Sequence, residues 1–118
     1  MIFQYKHDIH VDRRQKSYGY LTGQIDDLSW YALLHKEEVP HGIDPLTLKR
    51  GYGRITRLYL YEEKSSFEGN PFAPSMTMKR TIHAEFEDGW KILNPAYMSF
   101  IEELISFIER RYSFKIVK

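Results

Sequence analysis

The spacing of apolar residues changes once along this chain, at Asn94, and that single change sets the architecture it can adopt. Asn94 and Pro95 supply an N-cap and a first-turn proline. Beyond them Phe100, Ile101, Leu104, Ile105, Phe107, Ile108 and Tyr112 recur at helical intervals and fill about half of the circumference. Ser99, Glu102, Glu103, Ser106, Glu109 and Arg110 take the other half. A helix is therefore predicted over about 95–112.

Before Asn94 the dominant period is two, the mark of strands with one wet face. Phe3, Tyr5, His7, Ile9 and Val11 alternate with Gln4, Lys6, Asp8 and His10. DRRQ, Asp12 to Gln15, reads as a polar turn, and KSYGYLTG as the returning strand, bent at Gly19. Trp30, Ala32 and Leu34 then share one side, which favours a third strand, although Asp26 and Asp27 are also suited to capping a helix. Pro40, Gly42, Asp44 and Pro45 predict a loop running to about Tyr52.

Gly53 opens a fourth strand, RITRLYLYEE, with broken alternation. Ile55, Tyr59 and Tyr61 share a face with Arg57, while Leu58 and Leu60 share the other with Arg54. That pattern fits a central strand or one carrying a bulge. KSSFEGNPFAPS, Lys64 to Ser75, is expected to be a mobile loop. A fifth strand, KRTIHAEFE, places Ile82, Ala84 and Phe86 inward and His83, Glu85 and Glu87 outward. Asp88 and Gly89 suit the two positive-φ positions of a tight hairpin, from which WKIL returns. FKIVK at the end is a candidate edge strand. The expectation is one α+β domain over 1–118, strand-rich over 1–93, in which an antiparallel sheet of five to six strands packs on one C-terminal α-helix.

A chain of 118 residues with 42% apolar and 15% aromatic content can bury one core. Seventeen basic and sixteen acidic residues leave a formal charge of +1, so any anion-binding site must be a local patch. No cysteine is present, which excludes disulfides, thiolate zinc sites and cysteine nucleophiles. With no signal-like or membrane-length apolar run, a cytoplasmic protein that does not engage membranes is expected.

Sequence gives little sign of catalysis. His7, His10, His35, His41 and His83 show no diagnostic ligand spacing, so no metal and no cofactor are expected. No G-x-S-x-G elbow occurs, the serines fall in loops or on the polar side of the helix, and the carboxylate pairs are sequence neighbours. A protein that is not an enzyme is the expectation.

The run LKRGYGRITRLYLYEE, Leu48 to Glu63, sets glycine-spaced arginines ahead of a tyrosine-rich strand. RGYGRITR resembles the central signature of the RNA recognition motif at Arg50, Gly51, Tyr52, Gly53 and Ile55. Arg54 and Arg57 stand where that family has the aromatics on which bases stack, and the helices of that fold have no counterpart before residue 48. A second resemblance spans Trp30 to Pro95. HGI (His41 to Ile43), GRITRL (Gly53 to Leu58) and DGW (Asp88 to Trp90) are similar, in content and order, to a family of small uncharacterised bacterial and phage proteins. Here Asp44 to Tyr52 are inserted between the first two motifs, and Asp88 replaces the family's arginine before Gly-Trp. The resemblance implies a strand-rich fold and brings no established activity.

Two readings of this run remain open. In one, the glycines free the backbone for a tight approach to the strand, and Arg54 and Arg57 pair with carboxylates such as Glu85 or Glu87. In the other, Lys49, Arg50, Arg54 and Arg57 hold an anionic group, with His41 beside them and Tyr52 or Trp90 as a stacking wall. The functional expectation is a small binding protein of bacterial or phage origin that takes an anionic nucleotide-like ligand or blocks a host protein. The alternative is a nucleic-acid binder that uses the Lys49–Arg57 patch. The wide apolar face of the helix predicts either a homodimer through it or a monomer whose sheet curls around it.

Overall fold

The structure, a computed structural model, describes residues 5–12, 19–68 and 75–111. Six strands follow one another as an antiparallel meander, each hydrogen-bonded to the next. They are β1 (Ile9–Val11), β2 (Gly19–Ile25), β3 (Leu28–Ile43), β4 (Arg50–Glu68), β5 (Ser75–Glu87) and β6 (Trp90–Leu93). A 3-10 turn (Pro95–Tyr97) leads into α1 (Met98–Arg111). The Asn94 side chain caps that turn, accepting the Ala96 N–H at 3.0 Å. The α+β architecture expected from the alternation is the one observed.

Period two explains the core. Leu21, Ile25, Trp30, Leu34, Leu58, Leu60 and Phe86 project from one face of the sheet and are buried against Ile101, Leu104, Ile105 and Ile108 of α1. Trp30, the largest of them, keeps its indole N–H satisfied by the Gln24 carbonyl at 3.1 Å. Part of the rest of the helix's apolar face meets the segment before β1. His7 stacks on Phe100 with ring centres 3.9 Å apart, and Tyr5 meets Phe107 edge-on at 6.0 Å.

Two bulges correct the alternation. Leu34 pairs with Ile55 but Leu33 with Arg57, so Thr56 is an extra residue in β4. Ile55 is thereby turned into the core beside Leu58 and Leu60, leaving Arg57, Tyr59 and Tyr61 without it on the other face. Thr56 itself is buried, its hydroxyl 2.7 Å from His35 Nε2. In β5, Leu60 pairs with Ala84 and Tyr61 with Ile82, which makes His83 the extra residue. His83, expected outward, is buried against Tyr97 at 3.9 Å, with Nε2 3.5 Å from Glu62 Oε1.

The expected loop from Pro40 to Tyr52 is largely strand, with residues 44–49 alone as the turn. Pro40 fits because the pairing of β3 with β2 stops at Leu34, opposite Gly19, so β4 is the one described neighbour of β3 beyond that point. Gly42 and Gly53 let the two backbones close together. A Cβ on Gly53 would lie 1.9 Å from the Ile43 carbonyl oxygen, and one on Gly42 would lie 2.4 Å from that of Gly53.

Of the segment expected to be mobile, residues 64–68 and 75 are strand, and 69–74 lie outside the described residues. β1 is shorter than the alternation predicts, and residues 5–8 lead into it without ladder pairing. Most of the DRRQ turn, Tyr112 and the FKIVK end also lie outside the described residues. Among the described residues, no helix is long and apolar enough to cross a membrane.

Candidate functional site

The fold brings the three motif segments together and shows what holds them. Arg50 donates through Nε and Nη2 to Asp88 Oδ1, both at 2.9 Å. The Trp90 indole N–H reaches the Leu48 carbonyl at 2.7 Å, and its ring meets Phe86 edge-on at 5.1 Å. Between the strands, the Asp44 carbonyl accepts the Leu48 N–H and its Oδ1 accepts the Leu46 N–H. The Asp44 and Lys49 N–H groups go to the Lys49 carbonyl and the Thr47 hydroxyl. Amides that would cradle an anion are thus spent inside the turn.

The predicted cations are dispersed. Lys49, His41 and Tyr52 are all exposed, and Tyr52, at 64%, has no ring against it among the described residues. Arg54 turns to the helix, donating to the His35 carbonyl at 3.2 Å and meeting Glu109 Oε1 at 3.4 Å. Burial pushes the Glu109 carboxyl above its usual range, against the pull of Arg54. Arg57 emerges on the opposite face of the sheet, 3.0 Å from Glu87 Oε2. These residues do not form one site. The histidines likewise scatter, and no group of three or more metal-ligating side chains is present among the described residues.

A different constellation stands out on the face that α1 leaves uncovered. Tyr31 of β3 and Tyr59 of β4 are directly paired, with ring centres 5.3 Å apart and nearly perpendicular. Tyr20 of β2 stacks on Tyr31 at 5.5 Å, and Tyr61 follows Tyr59 two residues along the same strand. The Arg80 guanidinium sits 4.5 Å from the centre of the Tyr61 ring, in cation–π contact. Tyr31, Tyr59, Tyr61 and Arg80 line a shallow depression of ≈ 220 Å³. Among the described residues no element crosses this face, and Tyr20 remains 53% exposed.

Among the described residues, Arg57 and Arg80 on this face each have a carboxylate partner. Arg57 pairs with Glu87, and Arg80 reaches Glu63 through Nη2 at 2.6 Å and Nε at 3.1 Å. The Tyr59 hydroxyl donates to Glu85 Oε2 at 3.3 Å. Burial first, then the neighbouring carboxylates, raise the Tyr59 hydroxyl above its ordinary range. Tyr31 is raised as well, mainly by burial, so both hydroxyls stay neutral donors at pH 7. The Tyr31 hydroxyl and Glu87 hold the Arg57 guanidinium charged.

None of Tyr20, Tyr31, Tyr59, Tyr61 and Arg80 is among the site residues that the sequence predicts. A signal for them exists: Tyr31 lies out of phase with Trp30, Ala32 and Leu34, as Tyr59 and Tyr61 do with Leu58 and Leu60. Local sequence does not say which of the two faces a helix will cover. No family model, no curated protein and no solved structure matches this chain.

Proposed function

We propose that this is a binding protein that works through its uncovered tyrosine face, and that its partner is another protein. Tyrosine and arginine are the side chains that anchor protein interfaces, because each combines a large rigid contact area with a polar end. The ring-sized depression suits one projecting side chain of a partner, with the Arg57–Glu87 and Arg80–Glu63 pairs at its margin.

The carrying observation is that carboxylates outnumber guanidiniums among those rings, three to two among the described residues. A polyanion needs unmatched cations, whereas here Glu63, Glu85 and Glu87 accompany Arg57 and Arg80. The expected Lys49–Arg57 patch is likewise divided among Asp88, Glu109 and Glu87. Both facts weigh against a nucleic acid or a phosphate-bearing ligand and in favour of a surface of mixed charge. In this reading the chain acts by occupying a partner's surface, as a blocking or docking protein.

Photo-cross-linking residues at positions 20 and 59, compared with position 102 on the exposed side of α1, test the proposal. A discrete protein adduct from the first two positions, absent from the third and lost with Tyr31→Ser, supports it. Mass spectrometry of what denaturation releases from protein purified at low salt supplies the opposing outcome. A released nucleotide or oligonucleotide, or adducts that ignore position, overturns the reading.

A further inference from the structure

Three residues far apart in sequence meet where the N-terminal segment crosses the helix. His7 Nδ1 lies 2.8 Å from Asp26 Oδ2, and His7 Nε2 lies 3.1 Å from Ser99 Oγ. A carboxylate can only accept, so the proton on the neutral ring sits on Nδ1. Nε2 is then the lone pair, and the Ser99 hydroxyl donates to it. That is the tautomer and direction in which an imidazole acts as general base toward a serine.

The surroundings fix the ring. Phe100 stacks on it at 3.9 Å, with planes 22° apart. The His7 backbone N–H is held by Glu103 Oε1 at 3.0 Å. Asp26 uses Oδ1 to accept the Asp8 N–H at 2.8 Å, which leaves Oδ2 for the imidazole. The Asp8 N–H, then His7, hold the Asp26 carboxyl below its ordinary range, so it is ionised. Asp26 also has φ of 52°, a left-handed conformation that presents its side chain from the tip of the β2–β3 turn. Among the described residues, Asp26 bonds the ring and Glu103 the backbone of His7, while the Asp8 carboxylate next in sequence pairs with His10. His7 is 14% exposed and Ser99 lies in the open, so an acyl donor has access to Oγ.

We propose that Ser99 is a nucleophile activated by His7 and Asp26, and that it accepts acyl groups from activated esters. Ser99 Oγ attacks the ester carbonyl as its proton passes to His7 Nε2. The Oγ–carbon bond forms, the bond from carbon to the leaving oxygen breaks, and that oxygen departs with the electron pair and takes the proton from His7 Nε2, which leaves the imidazole neutral again. Water, giving its proton to His7, then attacks acyl-Ser99, releases the acid and restores the hydroxyl. The N–H groups of Ala96, Tyr97 and Met98 are already used by Asn94 and Pro95. No ready-made oxyanion donor is therefore offered by that turn, which restricts the chemistry to donors with good leaving groups. This centre lies on the helix side of the sheet and does not depend on the tyrosine face.

The full chain incubated with p-nitrophenyl acetate tests the proposal. Release of p-nitrophenolate, with the acetyl group located on Ser99 by peptide mass spectrometry, is the expected result. Ser99→Ala, an exposed position, should fold as before and lose both. Asp26→Asn should slow acylation by at least about tenfold by unsettling the tautomer. Acetyl groups confined to lysines and the N-terminus, or release unchanged in Ser99→Ala, would show that these contacts only pin the N-terminal segment.

Discussion

The same strands present two unlike faces, and the contrast separates what holds this protein together from what it can offer. Toward α1, Leu21, Trp30, Leu58, Leu60 and Phe86 are fully buried. Away from α1, Tyr20, Tyr31, Tyr59 and Tyr61 lie in a lattice of Arg–Glu pairs and keep part of each ring in solvent. Stability belongs to the first face, because burial of apolar area is the large favourable term. Recognition belongs to the second, where large side chains are held in place without being used up.

The largest effect that tests this division is Trp30→Ala. It should cost about 3–5 kcal/mol in urea denaturation, from lost transfer energy and the cavity left behind. A loss no greater than that of a surface change would mean that the helix does not seal the face. Arg54→Leu comes next, since Arg54 and Glu109 are only 11% and 20% exposed and the change leaves a shielded carboxylate unpaired. About 2–4 kcal/mol should be lost at pH 7, and most of it should return in the double change with Glu109→Leu. The pH dependence has a definite sign. Glu109 has a raised folded value, so its charged form disfavours the fold, and the loss should shrink as acidification protonates it.

On the open face, Tyr31→Ser with Tyr59→Ser should alter stability by only about 1 kcal/mol. The same pair of changes should weaken partner binding by at least about tenfold. A stability loss like that of Trp30→Ala would erase the distinction between the faces. Arg57→Ala should be milder still in urea denaturation, because Arg57 and Glu87 are each 40% exposed and solvent screens the pair. The smallest effect is local. Asp26 has a lowered folded value, so its contribution is present above its ordinary value of 3.8 and lost as pH falls through the lower one. Amide exchange at Ile9–Val11 should accelerate there before the sheet as a whole unfolds.

How far the sequence carries depends on whether a feature is local. Asn94 and Pro95 announce the helix start, and Asp88 and Gly89 take the positive φ values, 61° and 134°, that their turn predicts. Thr56 and His83 defeat the alternation because an inserted residue looks like any other until its partner strand is known. Lys64 to Glu68 read as loop from composition, yet they pair in register with Ser75 to Lys79. In the candidate sites the limit is sequence distance. The basic run was conspicuous because its members are neighbours, and the fold sends Arg50, Arg54 and Arg57 to three partners. The tyrosines come from three strands, each out of phase with its own core residues, and His7 and Ser99 are separated by 92 positions, so no single segment shows which of them meet.

The long β4–β5 hairpin has a hydrodynamic consequence. Past Tyr61 and Ala84, no third strand flanks it among the described residues, so it runs on for roughly 20 Å as a two-stranded rod. A molecule 63 Å long and 27 × 25 Å across tumbles anisotropically, turning slowly end over end and quickly about its long axis. Tyr59 and Tyr61 sit at the root of that rod, so a partner on their face adds its mass beside the pivot. Rotational correlation times along the hairpin would then register occupancy of the tyrosine face without any label on the partner.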